Sequence, residues 1–158
     1  MTLEHTPFPH EDHDLLMSVK ELKEYFAQIE MEKAKSAVVA ASKAEQDRQA
    51  LIKRLQSDDP IPEKAIEGFL HRLKSAALKG QEEIMVARFP HELCTDLGRA
   101  INQAEDGWWN TLTGQPRHIY DIWREHLQPL GYHLKAQIVE WPNGLPGDVG
   151  LYITWKLS

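Results

Sequence analysis

Between Asp14 and Ser57 the chain contains neither glycine nor proline. These two residues are the strongest helix breakers, so the stretch predicts one continuous helix. Its apolar residues Leu15, Val19, Leu22, Phe26 and Ile29 recur in alternating steps of four and three. That spacing is the a/d seam of a coiled coil, a helix that buries one narrow stripe against another helix. The strict repeat then fails, because the next positions in step are Lys33, Ser36, Ala40, Lys43 and Asp47. A shifted stripe through Ala37, Ala40, Ala41, Ala44, Leu51 and Leu55 takes over, as in a stutter. A helix of about 40 residues is roughly 60 Å long at 1.5 Å per residue. That exceeds the width of a ~100-residue domain, about twice a 13 Å radius of gyration. Part of the helix must therefore project, fold back, or find a partner chain.

Asp12 or Asp14 is positioned to cap this helix, and the polar, proline-containing residues 1–12 read as a flexible tail. Ser57-Asp58-Asp59-Pro60 is a break. The expected organisation is a tail over 1–12, a long helix over 13–57 and a compact α+β domain over 58–158. A second helix is predicted from Pro62 to Lys79, with Asp58 or Asp59 as N-cap. Its apolar face is Ala65, Ile66, Phe69, Leu70, Leu73 and Ala77, and Gly80 stops it. Residues 83–89, Glu-Ile-Met-Val-Ala-Arg-Phe, read as a strand ended by Pro90. A third helix is predicted over 91–105, with Leu93, Leu97, Ile101 and Ala104 as its stripe. A fourth begins near Pro116, capped by Thr113, with Ile119, Tyr120, Trp123 and Leu127 inward.

The C-terminal segment has period-two patterning. Tyr132, Leu134, Ala136 and Ile138 alternate with polar residues, and so do Val149, Leu151, Ile153, Trp155 and Leu157. A connector dense in Pro, Asn and Gly joins them. The predicted fold class is α+β: a long coiled-coil-like helix and a second helix, followed by a small β-α-α-β-β domain. Its sheet is three-stranded and mainly antiparallel.

Formal net charge is −6 over 158 residues, and the basic residues are scattered among acids. That argues against nucleic acid as a partner, because phosphate contacts need clustered Lys and Arg. A single cysteine, Cys94, excludes an intrachain disulfide and suits a reducing compartment. The first residues lack the basic start and apolar run of a signal peptide, and no window approaches ~20 apolar residues. The expectation is a cytoplasmic protein with no membrane partner and no cofactor.

Several groups are candidates for chemistry. Cys94 would be activated at the start of the third helix with His91 beside it, against the commoner fate of a free cysteine as a small buried apolar residue. His5, His10 and His13, with Glu11 and Asp12, have spacing for a metal but no family pattern, and no metal site is assigned. Asp96, Arg99 and Asn102 lie at steps of three, and Arg88 precedes them on the strand. Together with Asp148 from the 141–150 loop they form a candidate ligand site for a carboxylate or phosphate. The competing reading is an internal ion-pair and capping network. Trp108 and Trp109 mark either an interface or core.

Two stretches carry a resemblance. The first is Arg88-Phe89-Pro90, Leu93-Cys94-Thr95-Asp96 and Gly98-Arg99-Ala100-Ile101-Asn102. The second is Gly131-Tyr132 with the Pro142-to-Gly150 loop. Over about residues 85–155 they resemble a group of small, mostly proteobacterial proteins of uncharacterised activity. The resemblance implies no activity, cofactor or catalytic residue. The functional expectation is a non-enzymatic interaction or regulatory protein, oligomerising or binding another helical protein through Leu15, Val19, Leu22, Phe26 and Ile29. The alternative is a small-anion-binding domain or enzyme using the Arg88, Arg99 and Asp96 face with the 141–150 loop.

Overall fold

The computed structural model describes residues 16–156. The predicted long helix is α1, Val19–Leu55. Asp12 and Asp14 lie outside the described residues, and the start is built by Ser18 instead. The Glu21 N–H donates to Ser18 Oγ at 3.1 Å, and the Ser18 hydroxyl donates to Glu21 Oε1 at 3.3 Å. Ser18 and Glu21 have capping-box spacing, and the Ser18 hydroxyl oxygen satisfies one of the amides that the first turn leaves without partners.

Within the described residues, the chain groups into two compact units that meet between Gln46 and Asp47, inside α1. In the first unit nearly every side chain is exposed, with Ile29 half-buried. In the second, the last turns of α1 carry Ile52 into the core at 7% exposure, with Leu55 packed against it.

Helix α2 spans Glu63–Leu78, close to its predicted limits. Neither Asp58 nor Asp59 caps it, because Pro62 occupies the N-cap position. The backbone carbonyls of Asp58 and Asp59 instead meet His118 Nε2 at 3.1 Å and Gln115 Nε2 at 2.7 Å. Leu73 and Ala76 are buried, and Gly80 ends the helix with φ at +82°.

Three strands follow: β1 Glu83–Phe89, β2 His133–Ile138 and β3 Val149–Thr154. Both pairings are antiparallel, in the order β1-β3-β2. β3 is central because its alternate residues Val149, Leu151 and Ile153 are almost fully buried on one face. β1 changes face midway. Ile84 pairs with Ile153 and Phe89 with Val149, although Ile84 and Phe89 are an odd number of residues apart. A bulge between Met85 and Ala87 absorbs the extra residue. Such an insertion reverses which side chains point inward beyond it. Phe89 is thereby sealed at 1% exposure while Arg88 is sent to the open face. The Arg72 guanidinium from α2 donates to the Met85 carbonyl at 3.1 Å, covering an edge group at the bulge.

The predicted third helix is not a single helix. A 3-10 turn occupies His91–Leu93, and the helical part α3 is only Arg99–Asn102. Between them Cys94 is extended and forms an isolated bridge with Leu112. Leu97 and Gly98 take positive φ values of 59° and 87°. The bridge wins over helical periodicity because it buries Leu93, Cys94 and Leu112 at 0%, 2% and 4% exposure, and tertiary burial outweighs local propensity. Leu97, predicted inward, is 58% exposed.

Helix α4 runs over Gly114–Ile122 and continues as a π-helical turn through Trp123–Leu127. Thr113 does not cap it with its side chain; its hydroxyl donates to the Leu93 carbonyl. One core cluster joins Ile52, Phe89, Leu93, Cys94, Tyr120, Val149 and Leu151. A second joins Leu73, Ala76, Leu127, Ile153 and Trp155. No helix among the described residues is long and apolar enough to cross a membrane.

Candidate functional site

Arg88 and Asp148 are brought together. Arg88 sits on β1 opposite Gly150 of β3, and Gln137 of β2 flanks the same glycine. The base of the 141–150 loop is pinned by Val139 N–H to the Asp148 carbonyl at 2.9 Å and Gly147 N–H to the Glu140 carbonyl at 2.8 Å. This places two carboxylates beside one guanidinium. Arg88 Nε donates to Asp148 at 2.9 Å, and its Nη2 donates to Glu140 at 2.7 Å. The hydrogen bond to Asp148, then that to Glu140, raises the Arg88 pKa further above its ordinary value. Two negative charges against one positive leave this group net acidic, and an incoming anion meets repulsion.

Asp96, Arg99 and Asn102 form a separate group. Asp96 accepts the Gly98 N–H at 3.0 Å and the Ala100 N–H at 2.9 Å, so its carboxylate caps α3. Arg99 pairs with Glu105 at 2.8 Å and Gln103 at 3.2 Å, not with Asp96. Asn102 is exposed, and its backbone N–H bonds the Gly98 carbonyl at 2.9 Å. Among the described residues no ion pair or hydrogen bond joins Arg88 to this group.

Cys94 is not at a helix N-terminus. Burial pushes its thiol up to about 11; a hydrogen bond with Thr111 opposes this and the nearby Asp96 charge adds to it. His91 does not activate it: the His91 Nδ1 lies 3.1 Å from Glu92 Oε1. Glu92 is also gripped by the Arg48 guanidinium near the end of α1. Burial alone would raise the Glu92 carboxyl, but the Arg48 hydrogen bond, the Glu92 backbone amide and His91 together hold it below its ordinary value. The His5, His10 and His13 group lies outside the described residues, and the described ones contain no cluster of three metal-ligating side chains.

Of the helical seam, Leu15 lies outside the described residues. Val19, Leu22 and Phe26 are 68%, 38% and 58% exposed, and Ile29 is half-buried. Tyr25 stands beside Phe26 with ring centroids 6.0 Å apart and is itself 49% exposed. An apolar stripe at coiled-coil spacing therefore faces solvent in the single chain.

An aromatic cleft of about 330 Å³ gathers Trp108 and Trp109, predicted as interface or core, with residues that no predicted site included. It is lined by Trp108, Trp109, Tyr120, Trp123, Arg124, Gln128 and Leu134. Trp109 and Tyr120 stack at 6.0 Å with their planes 5° apart, and Tyr120 and Trp123 lie 5.8 Å apart. Arg117 sits 4.9 Å from the Tyr120 ring centroid and donates to the Trp109 carbonyl at 3.0 Å. The Trp123 indole N–H donates to the Tyr132 carbonyl at 3.1 Å. Trp123 is half-buried and Leu127 buried along the π-helical turn, at the positions their helical spacing predicts. A second cavity of about 270 Å³, between α2, α4 and the sheet, is almost wholly apolar, and its Arg72 is already bonded to Met85. No family model, curated protein or solved structure matches the chain.

Proposed function

We propose that the protein is a non-catalytic assembly protein that pairs with a second copy of itself through α1. The observation that carries this reading is the seam of exposed Val19, Leu22 and Phe26 with half-buried Ile29 on a 37-residue helix. A stripe two or three residues wide fits another helix better than a sheet or a flat surface. A single stripe also suits two-fold self-pairing, where the same patch serves both copies. Charge agrees: Lys20, Lys23, Lys33 and Lys35 are balanced by Glu21, Glu24, Glu30 and Glu32. Two copies therefore meet without net repulsion along the seam.

Energy sets the expected strength. Full burial of a Val, Leu, Ile or Phe side chain contributes about 1.5–3 kcal/mol. With roughly half of each seam residue still open, two copies gain on the order of 10 kcal/mol against an association cost of ~4–15 kcal/mol. At the low end of that cost the net gain is about 6 kcal/mol, a Kd of some tens of micromolar, so the pairing is weak and concentration-dependent. The electrostatics support it over the anion-binding alternative, because Arg88 and Arg99 already have internal carboxylates. The test is Leu22→Glu with Phe26→Glu in the full-length chain, both residues being exposed. Chemical cross-linking should trap a dimer of the wild type and none of the double variant. Equal yields from the two proteins would sink the proposal, as would a wild type that never cross-links.

A further inference from the structure

The geometry points to the aromatic cleft as a binding site for a small planar aromatic anion, separate from the helical seam. Three observations converge on that ligand class. Trp108, Trp109, Tyr120 and Trp123 make its walls, and the half-buried indoles offer surface on which a planar π-system stacks. The three tryptophans are half-buried, neither loose nor sealed, and Trp109 and Trp123 pack over the buried Tyr120. They are also held in place beforehand. Arg117 ties Trp109 to the Tyr120 ring, Thr111 Oγ1 donates to the Trp108 carbonyl at 2.7 Å, and Trp123 is fixed to Tyr132. A site already ordered loses little conformational freedom on binding.

The charge at the cleft selects the sign of the ligand. Arg124 lines it, and no carboxylate among the described residues pairs with Arg124. Its neighbours Glu125 and His126 are paired with each other at 3.7 Å. The other arginines of the compact unit that touch the sheet or α3 are neutralised by Glu or Asp, or bonded to a carbonyl. An uncommitted guanidinium beside aromatic walls repels a cation and offers bidentate hydrogen bonding to a carboxylate or phosphate. Gln128 adds an amide at the same rim. A cleft of about 330 Å³ has room for one fused bicyclic ring with its anionic group, at the lower end of small-molecule sites.

The tryptophan side chains report on the site individually. The chain has five, Trp108, Trp109, Trp123, Trp141 and Trp155, and Trp141 lies outside the cleft. In the 15N-labelled full-length protein, the indole N–H signals are followed by NMR while 1-naphthoate or adenosine 5′-monophosphate is added. Naphthalene-1-methanol and adenosine serve as their uncharged counterparts. The expected result is a saturable shift at Trp108, Trp109 and Trp123, with Trp141 unmoved, for at least one anionic probe. Removing the charge from the ligand, or from the protein by Arg124→Gln, should weaken binding by about tenfold or more. Which probe binds separates an arene carboxylate from a nucleotide as the source of the chemistry. Absence of saturable shifts with both anionic probes up to about 5 mM would overturn the site, since even millimolar affinity would then be lacking. Equal affinity for charged and uncharged probes, or for wild type and Arg124→Gln, would overturn the anion selectivity.

Discussion

Gly114 is the residue whose replacement should cost this fold the most for the smallest chemical change. It opens α4 with φ at +60°, where an L side chain is strained. A β-carbon added there would stand 2.1 Å from the Leu55 carbonyl oxygen and 2.8 Å from the Gln56 Cα. Both are backbone atoms at the end of α1, so no side-chain rotation relieves the clash. Reaching an ordinary contact requires the two backbones to separate by more than an ångström. That movement loosens the packing of Ile52 and Leu55 and the Gln115 side-chain bonds to the Ser57 and Asp59 carbonyls, 2.9 and 2.7 Å. The positive φ contributes about 1 kcal/mol, and disrupting buried packing adds about 2–3 kcal/mol. Gly114→Ala should therefore lower stability by about 3–4 kcal/mol, a fall in Tm on the order of 12 °C for a unit of this size. Gly68 supplies the control. It lies inside α2 with nothing within 4 Å of an added β-carbon, so Gly68→Ala should stabilise by about 0.5–1 kcal/mol. Urea unfolding of both variants is the assay. A Gly114→Ala loss below about 1 kcal/mol would refute the claimed close approach of α1 and α4.

Burial of Cys94 predicts that iodoacetamide labels it slowly at pH 8 in the folded protein and rapidly in urea; fast native labelling would contradict the burial. The folded thiol keeps its proton up to about 11, whereas an unfolded one loses it nearer 8.5. The unfolded state thus releases protons first, and stability should fall as pH rises through that interval, a slope that Cys94→Ala should remove. Glu92 has the opposite sign. Its folded pKa is lowered, so its contribution is present above the ordinary carboxylate range and is lost as pH falls through the folded value. Glu92→Gln should cost about 1–2 kcal/mol at pH 7 and progressively less in acid; a pH-independent difference would show that the Arg48 pairing is not its cause. The Arg124→Gln titration completes the set, with loss of anion preference as its expected outcome.

The parts of the fold set by local pattern were legible. Residues 83–89 and the alternating residues on either side of the 141–150 loop form the strands, because period-two patterning and turn residues act within a few positions. The 91–105 segment misled for a physical reason. Leu93, Leu97, Ile101 and Ala104 have helical spacing, but Cys94 is bridged to Leu112 and the Leu93 carbonyl is held by Thr113, twenty residues on. The bulge in β1 is equally invisible to alternation, although an arginine next to a phenylalanine at a strand end is its trace. Ser18 and Glu21 carried a readable capping signal that the nearby Asp12 and Asp14 obscured. Among the site residues, Arg88 and Asp148 do meet, but Glu140 joins them and closes the group. The aromatic cleft depends on the packing of two segments, residues 108–109 and 120–134. From sequence, only the Trp108-Trp109 pair and the Tyr120-to-Trp123 spacing hint at it.

Sedimentation velocity of the full-length protein over a hundredfold concentration range, about 1 to 100 μM, reads the self-pairing of α1, because a Kd of some tens of micromolar falls within that window. The expected result is a reversible shift from monomer to dimer that the Leu22→Glu and Phe26→Glu double variant abolishes while its thermal unfolding stays the same. A wild-type chain that remains monomeric at the highest concentration would contradict it.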